Sequence, residues 1–219
     1  MNLFQAANGA ATFLILSALV AGLAKQLDLA GDGLVEFMRT HYEMATLGIF
    51  VVVFRIKTLV DDNEYFDVKS TSAMNPYRFV GFVFAIFSWL FWALGAYVLV
   101  PTTRAAELIA LSIVISTIWL ITHIIEMLVS KKPHAEVRTR LEWIVMNVAY
   151  LLLLIAHSDG FRPFLQPGGE LTLILLLIVL LYDVLRSQLG RAFPTVTAAA
   201  PSDAAAACFV SPPNGQGRE

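Results

Sequence analysis

Cysteine is nearly absent from this chain of 219 residues, which holds only Cys208. Neither a disulfide framework nor a thiol-rich metal centre is therefore available. Charge is scarce too: 15% of residues are charged, none of them lies in the first 24 positions, and the net charge is −2. So few charges cannot clothe a soluble domain of this size, and nothing in the balance suggests a nucleic-acid partner.

Sequence signatures of familiar chemistry are missing as well. There is no Gly-x-Ser-x-Gly, no Walker sequence, no His-Glu-x-x-His and no arginine ladder. His123 and Glu126 stand in the wrong order for the Glu-x-x-His of di-iron bundles, and no second copy exists. Asp61, Asp62, Asn63, Glu64 and Asp67 lack the glycine and spacing of an EF-hand, so they read as a solvated acidic loop. The lysines at 25, 57, 69, 131 and 132 all avoid the middles of the apolar runs, which excludes a retinal Schiff base. No metal site is expected.

What the chain has in quantity is apolar sequence, 58% of the residues, gathered into six stretches. Leu3 to Ala24, Phe79 to Val100 and Leu108 to Val129 are long enough to cross a bilayer, which takes about 20 residues. Leu141 to His157 and Leu171 to Gln188 are shorter or charged at one end, yet Leu-rich. Thr40 to Val60 is the irregular one. Its uncharged interior, between Glu43 and Arg55, covers roughly 16 Å of helix, so Arg55 and Lys57 would have to snorkel to the interface. The fold class is therefore an all-α, polytopic membrane bundle with six transmembrane helices, or five if Thr40 to Val60 is interfacial.

Basic residues give the orientation. With six spans and the N-terminus inside, the inner loops carry Arg55, Lys57, Lys69, Arg78, Lys131, Lys132, Arg138, Arg140, Arg186, Arg191 and Arg218. The outer loops carry Lys25, Arg39, Arg104 and Arg162, a ratio of 11 to 4 in the direction of the positive-inside rule. The five-span alternative gives 13 to 2, and both put the C-terminus in the cytosol. The first stretch lacks a basic n-region and is too long for a signal peptide, so it reads as a retained helix. Residues 1–190 form the bundle. Residues 191–219, rich in Ala, Pro, Ser and Gly, read as a disordered cytosolic tail.

Polar residues fall on helical stripes. Ser112, Ser116, Trp119, His123 and Glu126 share one face, as do Trp143, Asn147, Tyr150 and His157. Gly81, Ala85, Ser88, Trp92 and Gly95 form a small-residue stripe. His41, Ala45, Gly48, Val52 and Arg55 form another, and Thr172, Asp183, Arg186 and Gly190 a last one. The Leu, Ile, Val and Phe between them suit lipid. Such stripes serve as packing glue in any membrane bundle. Their depth gives a sharper reading, a shallow polar vestibule facing the cytosol, with Arg55, Ser116, His123, Glu126, Asn147, Asp183 and Arg186 as residues of a substrate or ion pathway. Within it, His123, Glu126, Asn147 and Arg55 are expected to form one network, and Asp183 and Arg186 to pair along their helix.

Three classes of function remain. The first is a small solute or ion permease or channel of the cell membrane. The second is a non-catalytic accessory, scaffold or immunity-type subunit that meets a protein partner through its cytosolic loops. The third is an enzyme acting on a lipid-linked substrate, which ranks last because no nucleophile is paired with a base. No cofactor is expected; a haem between His41 and His157 is the one geometry that would accept one.

Overall fold

In a computed structural model of the protein, residues 3–30, 34–66, 76–130, 134–158 and 169–192 are described. They form seven helices: α1 (Leu3–Ala30), α2 (Leu34–Thr40), α3 (Tyr42–Phe66), α4 (Pro76–Tyr97), α5 (Thr102–Val129), α6 (His134–His157) and α7 (Gly169–Ala192). No strand occurs among the described residues. The chain divides into two units, Met1–Val184 and Leu185–Glu219. In the second, the described part is the end of α7, with Leu185 exposed and Arg186 half-buried. Of the expected tail, residues 191–219, the first two continue α7 to Ala192 and residues 193–219 lie outside the described residues.

Four helical segments among the described residues are long and apolar enough to cross a membrane: Phe4–Asp28, Phe79–Tyr97, Thr102–Val129 and Val137–His157. Their outward faces carry Phe13, Val145, Leu152 and Leu128 in exposed positions. Apolar area of that extent is unstable in water and fits a membrane protein in contact with lipid. The helices also run past the expected apolar cores. α6 begins at His134, which the sequence places in a loop, although that side chain lies outside the described residues.

α3 departs most from expectation. It continues to Phe66, so Asp61 belongs to a helix and is buried instead of sitting in a solvated loop. Neither glycine nor proline interrupts 49–66, and Lys57 pairs with Asp61 one turn on, which carries the helix through the acidic segment. Its buried face is also rotated from the expected one. Leu47, Phe50, Val51 and Phe54 point into the core with Arg55, although Leu, Val and Phe suit lipid equally well.

α4 and α5 form the closest seam. Ser88 Oγ lies 2.9 Å from Ser112 Oγ and 2.6 Å from Ser116 Oγ, and Ser112 Oγ donates to the Ser88 carbonyl at 2.8 Å. These hydroxyls tie two helices by interhelical hydrogen bonds, which hold a membrane bundle together. α1 crosses the end of α4 at Gly22, where a Cβ would stand 2.6 Å from the Tyr97 carbonyl oxygen. Backbone cannot step aside as a side chain can. Gly22→Ala is therefore expected to destabilise the protein by about 1 to 3 kcal/mol. Gly9→Ala, on the same helix with nothing within 4 Å of the added atom, should leave thermal unfolding in detergent unchanged.

Candidate functional site

A half-enclosed cavity of about 60 Å³ lies where α3, α4, α5, α6 and α7 face one another. All four tryptophans of the chain, Trp89, Trp92, Trp119 and Trp143, line it. So do two acids and two bases: Asp61, Asp183, Arg55 and Lys57. Ser88, Ser116 and Asn147 extend the polar wall to the middle of α4 and α5.

Lys57 is the hub of the charged part. Its Nζ donates to Asp61 Oδ2 at 2.8 Å and stands 3.0 Å from Asp183 Oδ2, which also accepts from the Tyr150 hydroxyl at 2.8 Å. The Lys57 side chain is only 10% exposed, so it turns inward to two carboxylates and does not snorkel outward as expected. The reason is local. Lys57 and Asp61 are one helical turn apart, and Asp183 faces them from α7, so the ammonium finds two anions inside the bundle. A single unpaired charge there would carry a large desolvation cost.

Arg55 serves a different neighbour. Its Nε donates to Thr12 Oγ1 at 3.1 Å, its Nη2 to the side-chain and backbone oxygens of Asn8, and its Nη1 to Thr58 Oγ1 at 3.3 Å. The guanidinium also lies 5.7 Å from the centre of the Trp89 ring. Only 3% of the residue is exposed. One fork thus ties α1 to α3 at the cavity wall.

The expected pathway residues sort into groups. Arg55, Ser116, Asn147 and Asp183 line the one cavity. Asn147 also donates to Thr117 Oγ1 at 3.2 Å. His123 and Glu126 form their own pair, Nδ1 to Oε2 at 3.5 Å, with the His123 ring edge-on to Trp119, whose other contacts include a stack on Phe4. The pair thus lies beside Trp119 and is not part of the cavity lining. Asp183 uses Lys57 and Tyr150 as partners, while Arg186 belongs to the second unit.

Sequence reasoning missed Lys57, Asp61 and Tyr150, as well as Asn8 and Thr12 on α1. A usable signal existed in the Lys57 and Asp61 spacing, since i,i+4 opposite charges inside an apolar run ask for a shared interior.

A second polar cluster sits at the other ends of α3, α6 and α7. Thr102 Oγ1 donates to Glu43 Oε2 at 2.8 Å. His157, fully buried, has Nε2 3.3 Å from Thr102 Oγ1 and 3.9 Å from Glu43 Oε2, and Nδ1 3.5 Å from Thr172 Oγ1. Tyr42 donates to Glu170 Oε1 at 2.5 Å. His41, the other half of the haem alternative, stacks on Phe37 with its Nδ1 3.1 Å from the Phe37 carbonyl. Both nitrogens of His157 thus face hydroxyls. Among the described residues, no three His, Cys, Asp or Glu side chains gather as a metal ion requires.

No protein-family model, curated protein or solved structure matches this chain.

Proposed function

We propose that the protein is a small permease or channel whose path enters through the tryptophan-lined cavity, with α3 and α7 crossing the bilayer beside the four more apolar helices. The observation that carries this reading is the mixed charged and hydroxylated lining that reaches Ser88 and Ser116 at mid-bundle. Packing glue needs hydrogen bonds but no space; here buried charges line open volume. α3 also buries Leu47, Phe50 and Val51 completely, which supports a helix inside the bundle over one lying on the membrane.

Size narrows the cargo. A volume of about 60 Å³ holds a few waters, whereas a dry cavity that takes up benzene measures about 150 Å³. A small ion with its water suits the space better than an organic solute. Positive-inside bias puts the Lys57 end of the cavity toward the cytosol.

The test is ion flux into liposomes carrying the full chain, followed with dyes for H⁺, K⁺ and Cl⁻. Wild-type protein should exceed empty liposomes for one of these ions, and Ser116→Trp, which fills the cavity, should lower that flux about tenfold. Flux equal to that of empty liposomes, or unaffected by Ser116→Trp, would turn the assignment toward the accessory-subunit reading. The Ser88, Ser112 and Ser116 bonds favour that reading for their own stretch of the α4 and α5 seam.

A further inference from the structure

The two polar clusters lie at different heights on the same three helices, one at an end of each and the other nearer mid-helix. α3 supplies Glu43 to one and Lys57 with Asp61 to the other; α6 supplies His157 and Tyr150; α7 supplies Thr172 and Asp183. They are separated by about 21 Å along α3, about 16 Å along α7 and about 10 Å along α6. At the registers between them stand Leu47 and Phe50 on α3, Leu154 on α6, and Leu176 and Leu180 on α7, none more than 2% exposed. Phe50 also packs on Tyr150, ring centres 5.6 Å apart, so the apolar segment abuts the Lys57 cluster directly.

We infer that these clusters are the two ends of one proton route along α3, α6 and α7, closed in this structure by the dry segment at Phe50, Leu154 and Leu176. This rests on the permeation reading above and names its ion. The Lys57 ammonium already occupies the position between Asp61 and Asp183 that a metal cation would need. A metal ion must expel it; a proton needs no such exchange. A proton taken up by Asp183 leaves a neutral acid beside Tyr150 and leaves Lys57 on Asp61, and its release restores the original pair. At the far end, a proton on His157 makes an imidazolium facing the Glu43 carboxylate, with the hydroxyls of Thr102 and Thr172 on its remaining sides and the Tyr42 and Glu170 pair nearby at the helix ends. Among the described residues, the charged and titratable groups around Asp183 include Lys57, Asp61 and Tyr150, with Arg55 in the same cavity wall. Crossing the apolar segment requires water to enter it, so Phe50 is the gate.

The experiment uses the full chain in liposomes loaded with a pH-sensitive dye, with a potassium gradient and valinomycin setting an inside-negative potential. Wild-type liposomes should acidify faster than empty ones, and Phe50→Ala should speed this about tenfold by wetting the barrier. His157→Gln and Glu43→Gln, each placed in the Phe50→Ala background, should bring the rate back down about tenfold and flatten its dependence on external pH, at unchanged thermal unfolding. Equal proton flux and an unchanged pH profile with and without both far-end substitutions would remove that cluster from the route and overturn the inference. Flux of K⁺ or Cl⁻ without protons would overturn it while leaving a permease. No flux of any of the three ions, in wild type or Phe50→Ala, would take down the permease reading with it.

Discussion

Lys57→Met is expected to cost about 3 to 5 kcal/mol of stability. Methionine keeps the length and apolar stem of the side chain but removes the ammonium. Asp61 Oδ2 and Asp183 Oδ2 would then face each other's charge without the group now 2.8 and 3.0 Å from them. Both carboxylates are less than 10% exposed, so the few waters of the cavity would replace the ammonium only in part. The size of the loss reflects two buried anions deprived of a shared cation more than the worth of the pairs themselves. That distinction is measurable. Lys57→Met combined with Asp61→Asn and Asp183→Asn should recover most of the loss, because amides carry no charge to strand. Unfolding in detergent micelles reads all three proteins. If Lys57→Met alone unfolds like wild type, the ammonium is solvated at the membrane surface and the buried cluster is not there.

Arg55→Met is expected to cost about 2 to 3 kcal/mol, the range for losing hydrogen bonds to a charged group and leaving buried acceptors behind. The acceptors that lose this donor are the side-chain oxygen of Asn8, which is fully buried, and the hydroxyl of Thr12 on α1. Thr12 is already committed as a donor, to the Asn8 carbonyl at 2.8 Å, so it cannot rescue its neighbour. Arg55→Lys should recover only part of the loss, since an ammonium lacks the planar fork that reaches Asn8 and Thr12 together. A double-mutant cycle of Arg55→Met with Asn8→Ala should show strong non-additivity. Additive effects would mean that Arg55 and Asn8 do not share a bond.

Much of this architecture is legible in the sequence because the bilayer leaves few choices. Long apolar runs become helices, and small residues such as Gly81, Ala85 and Gly95 fall where α4 meets its neighbours. Stripe reasoning also brought Ser116, Asn147 and Asp183 to the same interior. It failed where a residue type carries two meanings. Leu47, Phe50, Leu154 and Leu176 suit lipid and core alike, so nothing in their chemistry marked them as the buried segment between two polar clusters. Asp61 sits at the head of an acidic run that would be a loop in water; only the facing Asp183 and the shared Lys57 reveal it as interior. His123 and Glu126 have the right face and depth for the cavity, but Trp119 lies against them, and sequence periodicity cannot say which side of an indole a histidine takes.

In the proposed path, water reaches mid-bundle through the cavity from the Lys57 end. Because Cys208 is the chain's only cysteine, a Cys208→Ser background carrying Ser116→Cys places one thiol on the cavity wall. A membrane-impermeant thiol reagent added to sealed vesicles of known orientation measures its exposure from each side. Rapid labelling is expected from the side of the Lys57 cluster and none from the side of His157. No labelling from either side, or labelling from the His157 side alone, would contradict the proposed path.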